Sequence, residues 1–276
     1  MVTIVCMKWG EQFNAGHVNI LFAGVSRHMT EPFKFVCFTN ESFGIHSEIV
    51  IRPLPEIGLN RRGWTRCWPK LNVFDPSLFD PLEVVLFLDL DIIVQASLTP
   101  LIELVRVRRH LIIQREWNPD VWSLLPLWLR PDRGAQSSVF GFRPADVGDI
   151  YSTFVAEKDT AVACFRNDQS YLTHAVKDRS YWPSDFCVSF KRTCIWYYPL
   201  NLVFRKIKRP KKAKIVVFHG SPRPWETVVP EGKRWGPKWR FGIGPVDWIR
   251  QYLDQAVVEG PTDQISREAS RASNEI

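Results

Sequence analysis

Two aspartates, Asp89 and Asp91, interrupt Val84 to Val94 (VVLFLDLDIIV), a run that is otherwise apolar and largely β-branched. Buried without partners, each carboxylate would cost on the order of several kcal/mol, so the pair is expected where the strand leaves the core, with a cation to share. A spacing of two puts both side chains on one face of an extended segment. Hard divalent ions such as Mg²⁺ and Mn²⁺ take oxygen ligands and leave positions open for phosphates. The structural alternative is that the two acids end a strand, cap the following turn or pair with arginine. Far downstream, Ile215 to Phe218 (IVVF) reads as a strand that delivers His219 and Gly220 into HGSPRPW. There an imidazole would complete a mixed N/O ligand set, and Arg223 could face phosphate oxygens in bidentate fashion. A histidine at a strand end is otherwise an ordinary hydrogen-bonded residue. Asp168 and Gln169 fall where a loop turns into a helix in RNDQSYLTHAV, and Asp168 there reads as an N-terminal cap. Lys70 follows Pro69 in a first helical turn and points either to solvent or into the site.

The elements that must position these residues follow from apolar spacing. Val2 to Met7 (VTIVCM) and Phe33 to Thr39 (FKFVCFT) read as strands around a helix over 16–28, whose Val18, Leu21, Phe22 and Val25 share one face. A strand, a helix and a strand in this order open a parallel α/β sheet with right-handed crossovers, in which ligands bind beyond the carboxyl ends of the strands. That rule places Met7, Lys8, Trp9 and Gly10, with Thr39 and Asn40, at the rim. Ile49 to Ile51 is a third short strand, and Gly63 to Phe74 begins a helix. Thr99 to Val105 is a short helix, His110 to Arg115 a strand, Ser137 to Phe142 (SSVFGF) a strand and Asp146 to Glu157 a helix. Residues 117–134 have no clean period and suit a flap or acceptor-binding insertion as well as irregular core. Near the end, 245–258 places Val246, Ile249, Leu253 and Val257 on one helical face that packs on the body.

Composition excludes several classes. The chain has 276 residues, 45% hydrophobic and 24% charged, which suits a soluble globular protein. It has no apolar stretch of about 20 residues and no charged leader, so the expected location is the cytoplasm. Six cysteines, at 6, 37, 67, 164, 187 and 194, form no CxxC pair and suggest neither a zinc site nor a disulfide framework. A formal charge of +7 favours anionic partners, and twelve tryptophans suit sugars, bases or a membrane interface. The basic run Arg205 to Lys214 (RKIKRPKKAK), with Trp235 and Trp239 in KRWGPKWR, is either a solvated face or a surface for anionic headgroups or an acidic acceptor. No recognised nucleic-acid motif accompanies the charge, so no nucleic-acid partner is expected.

Taken together and in order, VLFLDLDIIV, NDQSYL and VFHGSPRPW resemble the retaining nucleotide-sugar glycosyltransferases of the GT-A fold, glycosyltransferase family 8 and its bacterial relatives, over about Val2 to Trp225. The resemblance implies a mostly parallel central sheet flanked by helices. It also implies Mn²⁺ or Mg²⁺ held by Asp89, Asp91 and His219 across the diphosphate of a UDP-sugar, with Leu90 between the acids. Gly220 and Arg223 would meet the diphosphate, Lys70 the phosphates or sugar, and Asp168 and Gln169 the transferred sugar. The nucleoside would lie near Met7, Lys8, Trp9, Thr39 and Asn40. Gln136 stands where the family commonly has asparagine, ahead of Ser138 in the donor set, and Arg223 stands where it has lysine. Ser189 to Lys191 (SFK) resembles a segment of the bacterial relatives, but no role follows from its chemistry.

The expectation is therefore a single GT-A-like domain over 1–259, with a basic and aromatic elaboration over about 205–259 and a flexible polar tail over 260–276. It would move a hexose from a UDP-sugar to a glycan or lipid-linked acceptor in bacterial surface polysaccharide synthesis, in contact with an anionic membrane face. Two alternatives stand beside it. One is a sugar nucleotidyltransferase, whose glycine-rich phosphate loop is missing from KWGEQFNAG after the first strand; the other is a noncatalytic nucleotide- or glycan-binding protein on the same scaffold.

Overall fold

The computed structural model describes residues 1–56, 58, 67–119, 122, 125–196, 200–235 and 242–258. Their strands are β1 (Val2–Met7), β2 (Phe33–Phe38), β3 (Val50–Arg52), β4 (Val84–Leu88), β5 (Ile92–Val94), β6 (Leu111–Arg115), β7 (Ala135–Phe142), β8 (Arg179–Tyr181), β9 (Cys187–Ser189) and β10 (Ile215–Val217). Their α-helices are α1 (Ala15–His28), α2 (Thr99–Val107), α3 (Gly148–Cys164), α4 (Asp168–Ala175) and α5 (Asp247–Val258).

Seven strands form one sheet in the order β3-β2-β1-β4-β7-β6-β8, and β5, β10 and β9 form a second. β1 pairs in parallel with β2 and β4, with Val2 opposite both Phe33 and Val84. β7 runs antiparallel to β4 and β6. A strand covered on both faces can be apolar throughout, and β4 is buried at every position. Its alternate residues still part: Val84, Leu86 and Leu88 join the core under α1 and α2, while Val85 and Phe87 join the core under α3. A third cluster packs α5 on β9 and β10 through Val246, Ile249 and Tyr252.

The longest apolar run of the sequence is not one extended segment. β4 ends at Leu88, Leu90 and Asp91 turn, and β5 departs into the second sheet. Two carboxylates cannot continue into a strand buried on both faces, so the chain bends where they occur. The bend is held on both sides: the Asp89 N–H donates to Ser138 O at 2.9 Å, and the Phe218 N–H donates to Asp91 O at 3.1 Å.

Other expectations shift in detail. The helix expected from Gly63 is a 3₁₀ turn over Trp68–Phe74, with residues 63–66 outside those described. The segment 117–134 contributes a 3₁₀ turn at Leu127–Leu129, and its base is closed by Glu116 N–H donating to Gly134 O at 2.9 Å. β8, β9 and the π-turn Phe190–Cys194 were too short to show a period. Trp239 and the tail 260–276 lie outside the described residues. Among the described residues, no helix is long and apolar enough to cross a membrane.

Gly141 lets α2 lie close against the sheet. A Cβ built there would stand 2.6 Å from Val105 Cγ2 and 3.1 Å from the Trp182 ring, both buried and short of freedom to move. Gly141→Ala is expected to cost about 1–3 kcal/mol of stability, checked by urea unfolding, with an unchanged midpoint refuting this packing.

Candidate active site

The acids meet one lysine. The 3₁₀ turn over 68–74 is entered through Cys67 in the left-handed region (φ 62°), a conformation that costs a non-glycine residue about 1–2 kcal/mol. That turn buries Lys70 to 5% exposure and sets its Nζ 2.6 Å from Asp89 Oδ1. Burial opposes the ammonium, but the charges of Asp89 and Asp168 outweigh it, so Lys70 stays protonated well above its ordinary range.

Asp91 shows the opposite balance. Burial and the neighbouring Asp89 charge push its carboxyl up to about 7, against the pull of Lys70 and Arg223. Without a further cation this pair holds a proton near neutrality. Such a pair suits a hard divalent ion that would replace the proton. His219 is neutral there, because burial and the charges of Lys191, Arg192 and Arg133 push it down to about 4, and the neutral imidazole is the metal-binding form. Its backbone neighbours Asp91 through Phe218, but its ring is engaged elsewhere. Ser189 Oγ lies 2.7 Å from His219 Nε2, and Trp117 stacks on the ring at 5.4 Å between centroids. Among the described residues no three His, Cys, Asp or Glu side chains converge as a ligand cluster. The acid pair thus fits a shared cation, and the structure does not bring the imidazole into one group with it.

Asp168 is not the cap of α4. Asn167 takes that role, accepting from the Ser170 N–H at 3.0 Å, so Asp168 is turned inward at 2% exposure. Burial pushes its carboxyl up to about 6, with Lys70 and the Ser137 hydroxyl pulling the other way, and its Oδ2 has no hydrogen-bond partner. Gln169 donates from Nε2 to Glu116 Oε2 at 3.0 Å. Glu116 was not singled out in the sequence, although it follows β6 directly and so lies beyond a strand's carboxyl end. Burial raises its carboxyl despite the Gln169 hydrogen bond.

Gly220 occupies the left-handed region (φ +67°), where the chain turns toward Arg223. The Arg223 guanidinium lies over Phe13 at 5.2 Å and Trp225 at 5.8 Å, with the side-chain amide of Gln12 against it. The loop between β1 and α1 is therefore part of the same rim. Ser189 and Lys191 of the SFK segment both hold His219, the serine at the ring and the lysine Nζ at the backbone carbonyl.

The remaining predicted residues divide. Met7 and Phe38 are in register, and the Lys8 N–H donates to Phe38 O at 2.9 Å, so the first two strand ends form one rim with Trp9 packed beneath it. Their side chains are already in use. Lys8 Nζ pairs with Glu41 at 2.5 Å, Thr39 Oγ1 accepts from the Glu41 N–H at 3.2 Å, and Asn40 Oδ1 accepts from the Leu54 N–H at 2.9 Å. Gln136 folds back on its own strand, accepting from the Ser138 N–H at 3.0 Å and donating to Ser138 Oγ. Leu90 is buried beneath the turn between the acids.

No protein-family model and no curated protein sequence matches the chain. Solved structures do. A galactosyltransferase, LgtC, in complex with donor and acceptor sugar analogs is 14% identical, with 95% of this chain and 97% of that one covered at a TM-score of 0.58. The glycosyltransferase GlyE of Streptococcus pneumoniae TIGR4 is 16% identical over 93% of this chain and 62% of that one, at 0.59. The bifunctional glycosyltransferase WbbM is 14% identical over 97% and 51%, at 0.56. The chain thus spans most of LgtC and little more than half of the other two. At such identities the likeness establishes architecture, and the architecture is the GT-A fold.

Asp168 carries a cost that the fold tolerates. Because its folded pKa (about 6) is raised above the ordinary 3.8, the native state loses stability as pH climbs through that interval and stays lower above it. Asp168→Asn is expected to be more stable than the parent by about 1–3 kcal/mol at pH 8, with the gain vanishing toward pH 4. Thermal unfolding at both pH values checks this, and a variant less stable at pH 8 refutes the buried-charge account.

Proposed function

We propose that the chain is a retaining glycosyltransferase that moves a hexose from a UDP-sugar to a glycan or lipid-linked acceptor, using Mn²⁺ or Mg²⁺, in the synthesis of a bacterial surface polysaccharide. The observation that carries this proposal is the Asp89–Asp91 turn at the carboxyl end of β4, with buried Lys70 between Asp89 and Asp168, on the same architecture as known glycosyltransferases. LgtC bound to donor and acceptor sugar analogs supports the two substrate classes.

Breaking the bond between sugar and phosphate leaves negative charge on the diphosphate and positive charge on the anomeric carbon. Asp89 and Asp91 would hold the divalent ion, which when bound would neutralise diphosphate charge, and His219 would join them only by leaving Ser189. Arg223, fixed against two aromatic rings, faces the leaving group with a rigid fork of donors. Lys70 keeps its proton at every working pH and adds a second positive charge. Asp168 would stabilise the oxocarbenium-like sugar from its buried position in the field of Lys70, and Gln169 with Glu116 would orient hydroxyls around it. Each such contact contributes about 3 kcal/mol in a site that excludes water. Retention follows if the acceptor hydroxyl attacks from the leaving-group side.

The location that suits this substrate pair is the cytoplasm, at the inner membrane face. Val203 and Phe204, 75% and 51% exposed, precede the basic run over 205–214 and supply the apolar part of an interfacial contact. Sedimentation with anionic vesicles is expected at low salt and lost at high salt; failure to sediment at low salt removes the membrane contact.

A thermal-shift panel of nucleotide-sugars with and without Mn²⁺ is expected to select a UDP-sugar with the metal present. Slow hydrolysis of that UDP-sugar would separate an enzyme from a binding protein. Asp89→Ala or Asp91→Ala is expected to abolish metal-dependent turnover, and unchanged activity in either variant would sink the proposal.

A further inference from the structure

The SFK segment leaves β9 and reaches the Gly220 turn through strand pairing. β9 and β10 are parallel, with Ser189 in register with Val217. Beyond that pair the two chains stay together: Phe190 stacks on Phe218 at 4.4 Å between centroids, both fully buried, and Lys191 then meets His219. The lysine Nζ donates to the His219 carbonyl oxygen. A Cβ built on Gly220 would stand 3.8 Å from the same Nζ, so the ammonium lies against the left-handed turn that leads to Arg223. The Ser189 hydroxyl accepts from the Arg192 N–H at 3.2 Å, which ties the π-turn over 190–194 to the end of β9 and fixes where the half-buried lysine points. One residue before this contact, the Phe218 N–H donates to Asp91 O at 3.1 Å, so the lysine and the acid turn hold neighbouring residues of one short stretch of chain. Three cations are felt at the His219 ring, Lys191, Arg192 and Arg133, of which the two arginines also act on the Glu116 carboxylate.

We infer that Lys191 is a further donor-binding residue, its ammonium contacting the diphosphate of the nucleotide-sugar alongside Gly220 and Arg223. This role rests on the diphosphate lying at Gly220, as in the proposed function. A carbonyl oxygen can be satisfied by any neutral donor, whereas a full positive charge against Gly220, with a second three residues on at Arg223, suits a group of opposite charge. The point charge of an ammonium also complements the planar fork of the guanidinium, because the two can meet different oxygens of a diphosphate.

The whole chain is titrated with UDP by calorimetry and with the weaker ligand uridine by ligand-observed NMR, both with Mn²⁺ present. Lys191→Met, which keeps the length of the side chain and removes its charge, is expected to weaken UDP about ten- to hundredfold and to leave uridine unchanged. Lys191→Arg is expected to recover most of the UDP affinity, since its donors also meet phosphate oxygens. The role of Lys191 is overturned by UDP affinity that Lys191→Met leaves intact, or by an arginine no better than methionine. It is likewise overturned by equal weakening of uridine and UDP, which would make the residue a buttress of the turn. A parent chain that binds no UDP at all removes the diphosphate site and the proposed function with it, an outcome distinct from loss of the lysine's role alone.

Discussion

One buried ammonium makes the acidic site possible. The turn after β4 and the start of α4 bring Asp89, Asp91 and Asp168 together, and burial with the Asp89 charge pushes the carboxyls of Asp91 and Asp168 toward their protonated forms. Lys70 counters this from within hydrogen-bond distance of Asp89, and its field is felt at both of the other acids. Lys70 occupies that position because the 3₁₀ turn after Cys67 faces the carboxyl end of β4, with Trp68 of the same turn stacked on Phe154 of α3 at 5.8 Å. The left-handed backbone at Cys67 is strain placed beside the site and held by a well-packed core.

The charges also shape the fold around them. β4 stops where its first carboxylate occurs, and the bend hands the chain to a second sheet whose central strand, β10, ends two residues before His219. The acid turn and the histidine segment are thus neighbours by strand pairing, before any ligand is considered. Ser189 and Lys191 then fix the histidine from β9 and the turn after it, and Gln12, Phe13 and Trp225 fix Arg223. The rim is assembled from loops, but each loop is tied to a rigid element within a few residues, which is what a site for a charged, extended substrate requires.

Two buried groups of α4 lack the hydrogen bonds they would normally have. Asp168 Oδ2 at the start of α4 and the Tyr171 hydroxyl one turn on are both left unpaired. The first borders the acidic site, where burial without a partner at Oδ2 holds the Asp168 carboxyl toward its protonated form.

The local sequence was sufficient for much of this. Strands such as Val2–Met7 and Val84–Leu88, and the helix face of Val18, Leu21, Phe22 and Val25, are legible because apolar spacing is set by the geometry of one element and needs no partner. The acid pair, Lys70 and Asp168 could be named as candidates for the same reason: carboxylates and amines in apolar surroundings stand out by type. What one-dimensional spacing cannot carry is direction and partnership. Whether Lys70 faced water or an acid, whether Asp168 or Asn167 capped α4, and whether the imidazole of His219 lay on Ser189 or beside the carboxylates were all open. Each depends on residues far away in the chain, such as Ser189 thirty positions before His219. Glu116 and the SFK segment acquired roles only when β6, β9 and β10 took their places. Residue types and periods belong to the chain; the pairing of charges belongs to the packed structure, because Coulomb and hydrogen-bond energies fall off within a few ångströms and only the fold sets those distances.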